Sequence, residues 1–141
     1  MNAAKAFFDT NVLLYMYSRA DLAKQARAKE LFASCAGRIL LSTQVVQEFY
    51  VAGIRKLGLP RRKVQEAAAA LLELPLVIVS PEQILSGIRM EERYTISFWD
   101  ALILAAAESG GAEIVYTEDL NDGQRYGAVT VRNPFSTPPL S

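Results

Sequence analysis

The sequence predicts an α/β protein: a three-layer α/β/α domain around a central parallel sheet of about five strands. Three observations predict it. Short runs rich in β-branched and aromatic residues alternate with longer segments of helical period. Strands alternating with helices favour right-handed crossovers, parallel pairing and a sheet covered on both faces. Finally, 141 residues, 51% of them hydrophobic, suffice for one core and fall short of two ordinary domains. One domain is expected over residues 1–135, with a loosely ordered tail over 136–141 that carries Pro138 and Pro139.

The first strand is Lys5-Ala-Phe-Phe8, which runs into the turn-forming Asp9-Thr-Asn11 and a helix beginning near Val12. From about Ala20 to Cys35, Leu22, Ala26, Leu31 and Phe32 recur among charged residues at helical period, and Gly37 stops that helix. Arg38-Ile-Leu-Leu41 reads as the second strand. Ser42-Thr43 caps a third helix, whose Val45, Val46, Phe49 and Ile54 share a face through about Leu57, with Gly58 as its end. Pro60 opens an Ala-rich helix that Pro75 closes, and Leu76-Val-Ile-Val79 follows as the third strand. Ser80-Pro81-Glu82 starts a helix running to about Tyr94, and Ser97-Phe-Trp-Asp100 forms a capping box before the helix through Glu108. Glu113-Ile-Val-Tyr116 and Ala128-Val-Thr-Val131 complete the strands, separated by a polar loop from Thr117 to Gly127.

Composition narrows the chemistry. Fifteen Lys plus Arg balance fifteen Asp plus Glu, so there is no global basic field to hold a polyanion. The chain has no histidine, which excludes Ser-His-Asp and Cys-His pairs, His-based general acid/base hydrolysis and His-ligated zinc. Its single cysteine, Cys35, excludes an intramolecular disulfide and fits a reducing compartment. No run is long enough to span a membrane and no export signal is apparent, so a cytoplasmic protein is expected.

Four carboxylates stand in apolar surroundings: Asp9 after Phe7-Phe8, Glu48 within Val45 to Val51, Asp100 within Phe98 to Leu104, and Asp119 after Ile114-Val-Tyr116. An ionised carboxylate near a core needs a cation, a hydrogen-bond network or a proton to offset its lost hydration. Asp9 and Asp119 follow strands and Asp100 sits in a first helical turn, positions that collect at the carboxyl ends of strands in parallel folds. Glu48 joins them if its helix crosses those ends. Together the four would hold Mg²⁺ or Mn²⁺, because an all-oxygen set favours hard divalent ions. Such a centre supports phosphodiester hydrolysis without histidine. Taken singly, Asp9 also serves as an Asx-turn residue, Asp100 as a helix cap, and Asp119, Asn121 and Asp122 as a polar turn before Gly123. Glu48 is hardest to explain by solvation, since Val45, Phe49 and Ala52 share its side of the helix.

These motifs resemble those of the PIN-domain ribonucleases, and within them the VapC-type toxins of bacterial toxin–antitoxin pairs. Phe7-Phe-Asp-Thr-Asn11, Ser42-Thr-Gln-Val-Val-Gln-Glu48, Phe98-Trp-Asp-Ala-Leu-Ile103 and Tyr116-Thr-Glu-Asp-Leu-Asn-Asp-Gly123 are similar to the four ordered motifs of that family over nearly the whole chain. The resemblance implies a PIN-like fold and a metal-binding catalytic cluster of Asp9, Glu48, Asp100 and Asp119, oriented by Asn11 and Thr117. It implies cleavage of RNA by activated water to 5′-phosphate and 3′-hydroxyl ends, a homodimer, and inhibition by a cognate antitoxin. The pattern departs at Asn121, where the family often carries a further acid; Asp122, one place later, is the candidate for that contribution.

Arg55, Lys56, Arg61, Arg62 and Lys63 gather positive charge at one helix–helix connection, suited either to RNA phosphates or to a solvated face. Tyr15, Tyr17, Tyr50 and Trp99 suit base stacking or packing, and the sequence assigns neither. Two other readings compete. Phosphoaspartyl phosphatases and receiver domains also place an aspartate after a first strand, but need a late lysine, and the last lysine here is Lys63. A catalytically silent PIN-like module binding RNA or protein would be marked by loss of an acidic residue, and all four are present.

Overall fold

A computed structural model of the chain describes residues 4–136. Of the tail expected over 136–141, everything after Ser136 lies outside the described residues. The elements run β1 (Lys5–Phe8), α1 (Thr10–Tyr15), α2 (Leu22–Ser34), β2 (Ile39–Ser42), α3 (Thr43–Arg55), α4 (Arg61–Leu71), β3 (Leu76–Val77), α5 (Pro81–Tyr94), α6 (Phe98–Ser109), β4 (Ala112–Tyr116), β5 (Arg125–Tyr126) and β6 (Val129–Arg132). They form one six-stranded sheet in the order β3-β2-β1-β4-β6-β5. Every pairing is parallel except that of β5 with β6. The three-layer α/β fold expected from the alternation of elements is therefore present, with a sixth strand.

That sixth strand was hidden in the stretch read as a polar loop. Arg125 and Tyr126 pair with Thr130 and Val129 across a two-residue turn, and Gly127 enters the turn at φ 59°. Glycine at the first central position is the usual entry to such a hairpin. Tyr126 anchors it, being 1% exposed. At the other edge β3 has two residues rather than four. Val79 N donates to Thr43 Oγ1 instead of to the sheet, over 3.1 Å, and Ser80 already accepts from Gln83 N as the cap of α5. The helix expected near Val12 begins at Thr10, because Asp9 is itself its N-cap.

The core lies between the sheet and its helices, with Phe7, Phe8, Leu13, Leu41, Val45, Phe49, Leu104 and Val115 essentially inaccessible. Helix α6 is buried from Ala101 through Ala107, as its nearly unbroken apolar sequence requires. Gly110 lets it pass close to the sheet, where a Cβ would collide with Leu40 and Val77. Gly111, at φ 82°, reverses the chain into β4. Because α6 runs against the strand direction, its first turn reaches the carboxyl ends of β1 and β4. Phe8 is in register with Tyr116, so the residues immediately after the two strands, Asp9 and Thr117, emerge side by side.

Candidate metal centre at the carboxyl end of the sheet

Asp9 is 7% exposed and held at both carboxylate oxygens. Thr10 N donates to Oδ1 over 2.7 Å, and the buried Thr117 hydroxyl donates to Oδ2 over 2.7 Å. Burial nevertheless pushes its pKa up to about 6, with the negative charges of Asp119 and Asp100 adding to the rise and the two hydrogen bonds opposing it.

Asp100 arrives on the first turn of α6. Its amide N donates to the Ser97 hydroxyl over 3.1 Å, so the expected cap is made by the main chain while the carboxylate turns toward Asp9. Burial raises its pKa, Ser97 offsets part of the rise, and Asp119 adds to it. Asp119 follows β4 and is exposed. Its N donates to Thr117 Oγ1 over 3.1 Å, and Asn11 Nδ2 donates to its Oδ2 over 3.3 Å. The preceding residue fixes the loop from the other side: Glu118 accepts from the Tyr15 hydroxyl at 2.7 Å and from Lys24 Nζ at 3.0 Å.

One carboxylate oxygen from each of Asp9, Asp100 and Asp119 lies within 4.8 Å of the others. Glu48 lines the same cavity, of about 250 Å³, but stands outside this tight group. It is exposed at the rim, contrary to the apolar surroundings that its helix neighbours suggest, because Val45 and Phe49 turn inward while Glu48 turns to the opening. Its Oε1 accepts from the Thr10 hydroxyl over 3.0 Å. Its pKa is raised chiefly by burial of part of the side chain, with Thr10 and Gln44 opposing and Asp100 and Asp119 reinforcing.

The ion pairs among the described residues, Lys24–Glu118, Arg27–Glu30 and Arg62–Glu66, involve none of the four carboxylates. The close packing of the Asp9, Asp100 and Asp119 oxygens, with the pKa values of Asp9, Asp100 and the neighbouring Glu48 pushed upward and no guanidinium of the described residues paired with them, fits a hard divalent cation.

The PIN domain model matches residues 6–125. The chain belongs to the PIN domain family. Within it, the solved structures similar in fold include the Mycobacterium tuberculosis VapC20, described as a sarcin-ricin loop cleaving toxin. That protein is 24% identical over 82% of this chain and 90% of its own, with a TM-score of 0.68. A toxin–antitoxin complex from Klebsiella pneumoniae matches at 20% identity over 94% of this chain and all (100%) of that one, with a TM-score of 0.73. The DNA-bound VapBC of Salmonella typhimurium matches at 16% identity over 94% and 99% of the two chains, with a TM-score of 0.64. No curated protein sequence is a significant match to the chain.

The other residues singled out from the sequence of this PIN domain are distributed unequally. Asn11 and Thr117 touch the carboxylates directly. Asp122 does not line the cavity; its Oδ1 accepts from Asn133 N over 2.9 Å and ties the loop to the end of β6. Of the five basic residues only Lys56 lines the acidic cavity. Arg61 donates to the Tyr50 hydroxyl over 3.3 Å, Arg62 pairs with Glu66 over 3.4 Å, and all five are exposed. Two contributors were not singled out. Thr10 joins Asp9 and Glu48, a role signalled only by its place inside Asp9-Thr-Asn11. Gln44, one helical turn before Glu48, lines the cavity and donates to the Trp99 carbonyl over 3.4 Å. No helix of the described residues is long and apolar enough to cross a membrane.

Proposed function

We propose that this PIN domain is a metal-dependent endoribonuclease and the toxin of a VapC-type pair, acting in the cytoplasm as a homodimer and restrained by a cognate antitoxin protein. The observation that carries the reading is the gathering of Asp9, Asp100 and Asp119 oxygens within 4.8 Å of one another. Mg²⁺ or Mn²⁺ bound there would activate water and stabilise the oxygens of a phosphodiester undergoing in-line displacement.

The chain's own residues have separable tasks. Asp9, Asp100 and Asp119 supply anionic oxygen donors, and Glu48 adds a fourth carboxylate at the rim of the same cavity. Thr117 orients Asp9, Asn11 orients Asp119, and Thr10 orients Glu48. Lys56 brings a cationic side chain to the lining of the same cavity, suited to a phosphate of the RNA backbone. Without histidine the chain has no neutral-pH imidazole to move protons, which leaves the carboxylate centre as the source of hydrolytic power. The fold likeness to solved toxins and toxin–antitoxin complexes supports RNA as substrate and an antitoxin as partner.

The test is incubation of total cellular RNA with the purified chain and Mg²⁺ or Mn²⁺. Discrete cleavage with 5′-phosphate ends is expected, abolished by chelation and by Asp100→Asn while the circular dichroism spectrum is unchanged. Asn keeps the main-chain N–H that the Ser97 cap accepts, but its side chain holds a cation weakly. Intact RNA under both metals, or cleavage that survives chelation, would overturn the reading.

A further inference from the structure

Trp99 is the only tryptophan of the chain, and it is 63% exposed on a helix that is otherwise buried from Ala101 through Ala107. It immediately precedes Asp100 and lines the same cavity as the carboxylates. A large indole left in water forgoes the burial that usually holds such a side chain in place. Building on the nuclease reading, we propose that Trp99 is the stacking platform for an unpaired RNA base adjacent to the phosphodiester at the carboxylate cluster, so that the substrate is RNA with a splayed, single-stranded nucleotide there.

The indole is steadied without being covered. Phe98 meets it edge-to-face, with ring centroids 5.3 Å apart and planes at 72°. Its main chain is tied to α3 by the Gln44 donation to the Trp99 carbonyl at 3.4 Å, and Gln44 is itself only 7% exposed. A platform whose backbone is anchored loses little freedom on binding, as stacking sites require. The surroundings decide between RNA and an apolar protein surface as occupant. Asp100, Asp119, Glu48 and Lys56 share the cavity with Trp99, and covering them with an apolar face would strip their hydration without pairing them. A nucleotide divides as the site does, with a π-face for the indole and a phosphate for the cation and the metal-binding carboxylates.

Because the chain has one tryptophan, its emission reports Trp99 alone. The probe is a short, fluorophore-labelled, single-stranded RNA of randomised sequence, added in Ca²⁺ to limit cleavage, with binding followed independently by anisotropy. Trp99 emission is expected to fall with the same midpoint as the anisotropy rise, and a duplex of the same composition is expected to leave it unchanged. Trp99→Ala is expected to weaken RNA binding about tenfold, Trp99→Phe to retain it within about threefold, and both to bind Mn²⁺ as the unmodified chain does. RNA binding with unchanged emission, or an Ala variant that binds and cleaves normally, would overturn the stacking role while leaving the nuclease reading intact. Emission that depends on protein concentration and not on RNA would make Trp99 a protein contact and would also overturn it. If the unmodified chain neither binds nor cleaves RNA, the nuclease reading falls and the platform with it. Should the Ala variant misfold, the emission of the unmodified chain and the Phe variant still decide the matter.

Discussion

The Thr117 hydroxyl donates to Asp9 Oδ2 over 2.7 Å, joining residues 108 positions apart in sequence. Thr117 Oγ1 in turn accepts from Asp119 N over 3.1 Å. One hydroxyl therefore sets the position of two carboxylates, and it can do so because β1 and β4 are neighbours in register up to Phe8 and Tyr116. Thr117→Val keeps the shape and removes both bonds. Folding stability is expected to fall by about 1–3 kcal/mol, and Mn²⁺ affinity by about tenfold or more, as when an oriented ligand loses its support. Thr117→Ser should restore most of both. Denaturant titration and calorimetry measure the two effects, and a Val variant with unchanged metal affinity would show that Thr117 only packs.

Asp9 titrates at about 6 in the folded chain against 3.8 for an ordinary carboxyl group. The native state thus binds the proton more tightly than the unfolded one. The associated stability is fully present below 3.8 and is lost as pH rises through about 6, approaching about 3 kcal/mol in the metal-free chain. Asp9→Asn removes this dependence. After allowance for disturbed hydrogen bonds it should make the metal-free chain more stable at neutral pH by about 1–2 kcal/mol, even as it abolishes cleavage. Chelated protein unfolded by urea at acid and neutral pH provides the check; an Asn variant less stable at neutral pH would contradict the account. Glu48 and Asp100 are raised in the same direction as Asp9, so cleavage should decline as the pH falls and these carboxylates take up protons.

Lys56 is the member of the basic cluster that reaches the acidic cavity, whereas Arg62 pairs with Glu66. Lys56→Ala is expected to weaken RNA binding and reduce the slope of log affinity against log salt by about 0.7, the value for one phosphate contact on a single strand. Arg62→Ala should leave the slope unchanged. Binding isotherms across a salt series distinguish them, and equal slopes for all three proteins would remove Lys56 from the interface.

Gly110 permits the close approach of α6 to β2 and β3, where an added Cβ would stand 2.8 Å from Val77 Cγ2 and closer still to Leu40. Gly110→Ala should therefore lower stability by about 1–3 kcal/mol. A thermal midpoint equal to that of the unmodified chain would show that the side chains yield freely.

The sequence made the parallel core and its helices legible because periodicity and caps agreed at each boundary: Ser42, Ser80 and Ser97 all cap the helices they were expected to cap. The edges of the sheet were less legible. Two residues of β5 held by Tyr126 and the turn at Gly127 carry too little pattern to separate from a polar loop, and β3 stops short because Thr43 and Ser80 claim the backbone beyond it. In the site, the four carboxylates stood out by their apolar neighbours, but alternation could not reveal that Glu48 points to the rim. Nor could it find Thr10 and Gln44, whose bonds to Glu48 and to the Trp99 carbonyl connect different elements and exist only once the chain has folded.

Calorimetric titration of Mn²⁺ into the purified chain, beside Asp9→Asn and Asp100→Asn, addresses the carboxylate centre most directly. Saturable binding to the unmodified chain, weakened at least tenfold in each folded variant, is the predicted result. Binding that is absent from the unmodified chain, or that both variants retain undiminished, would contradict it.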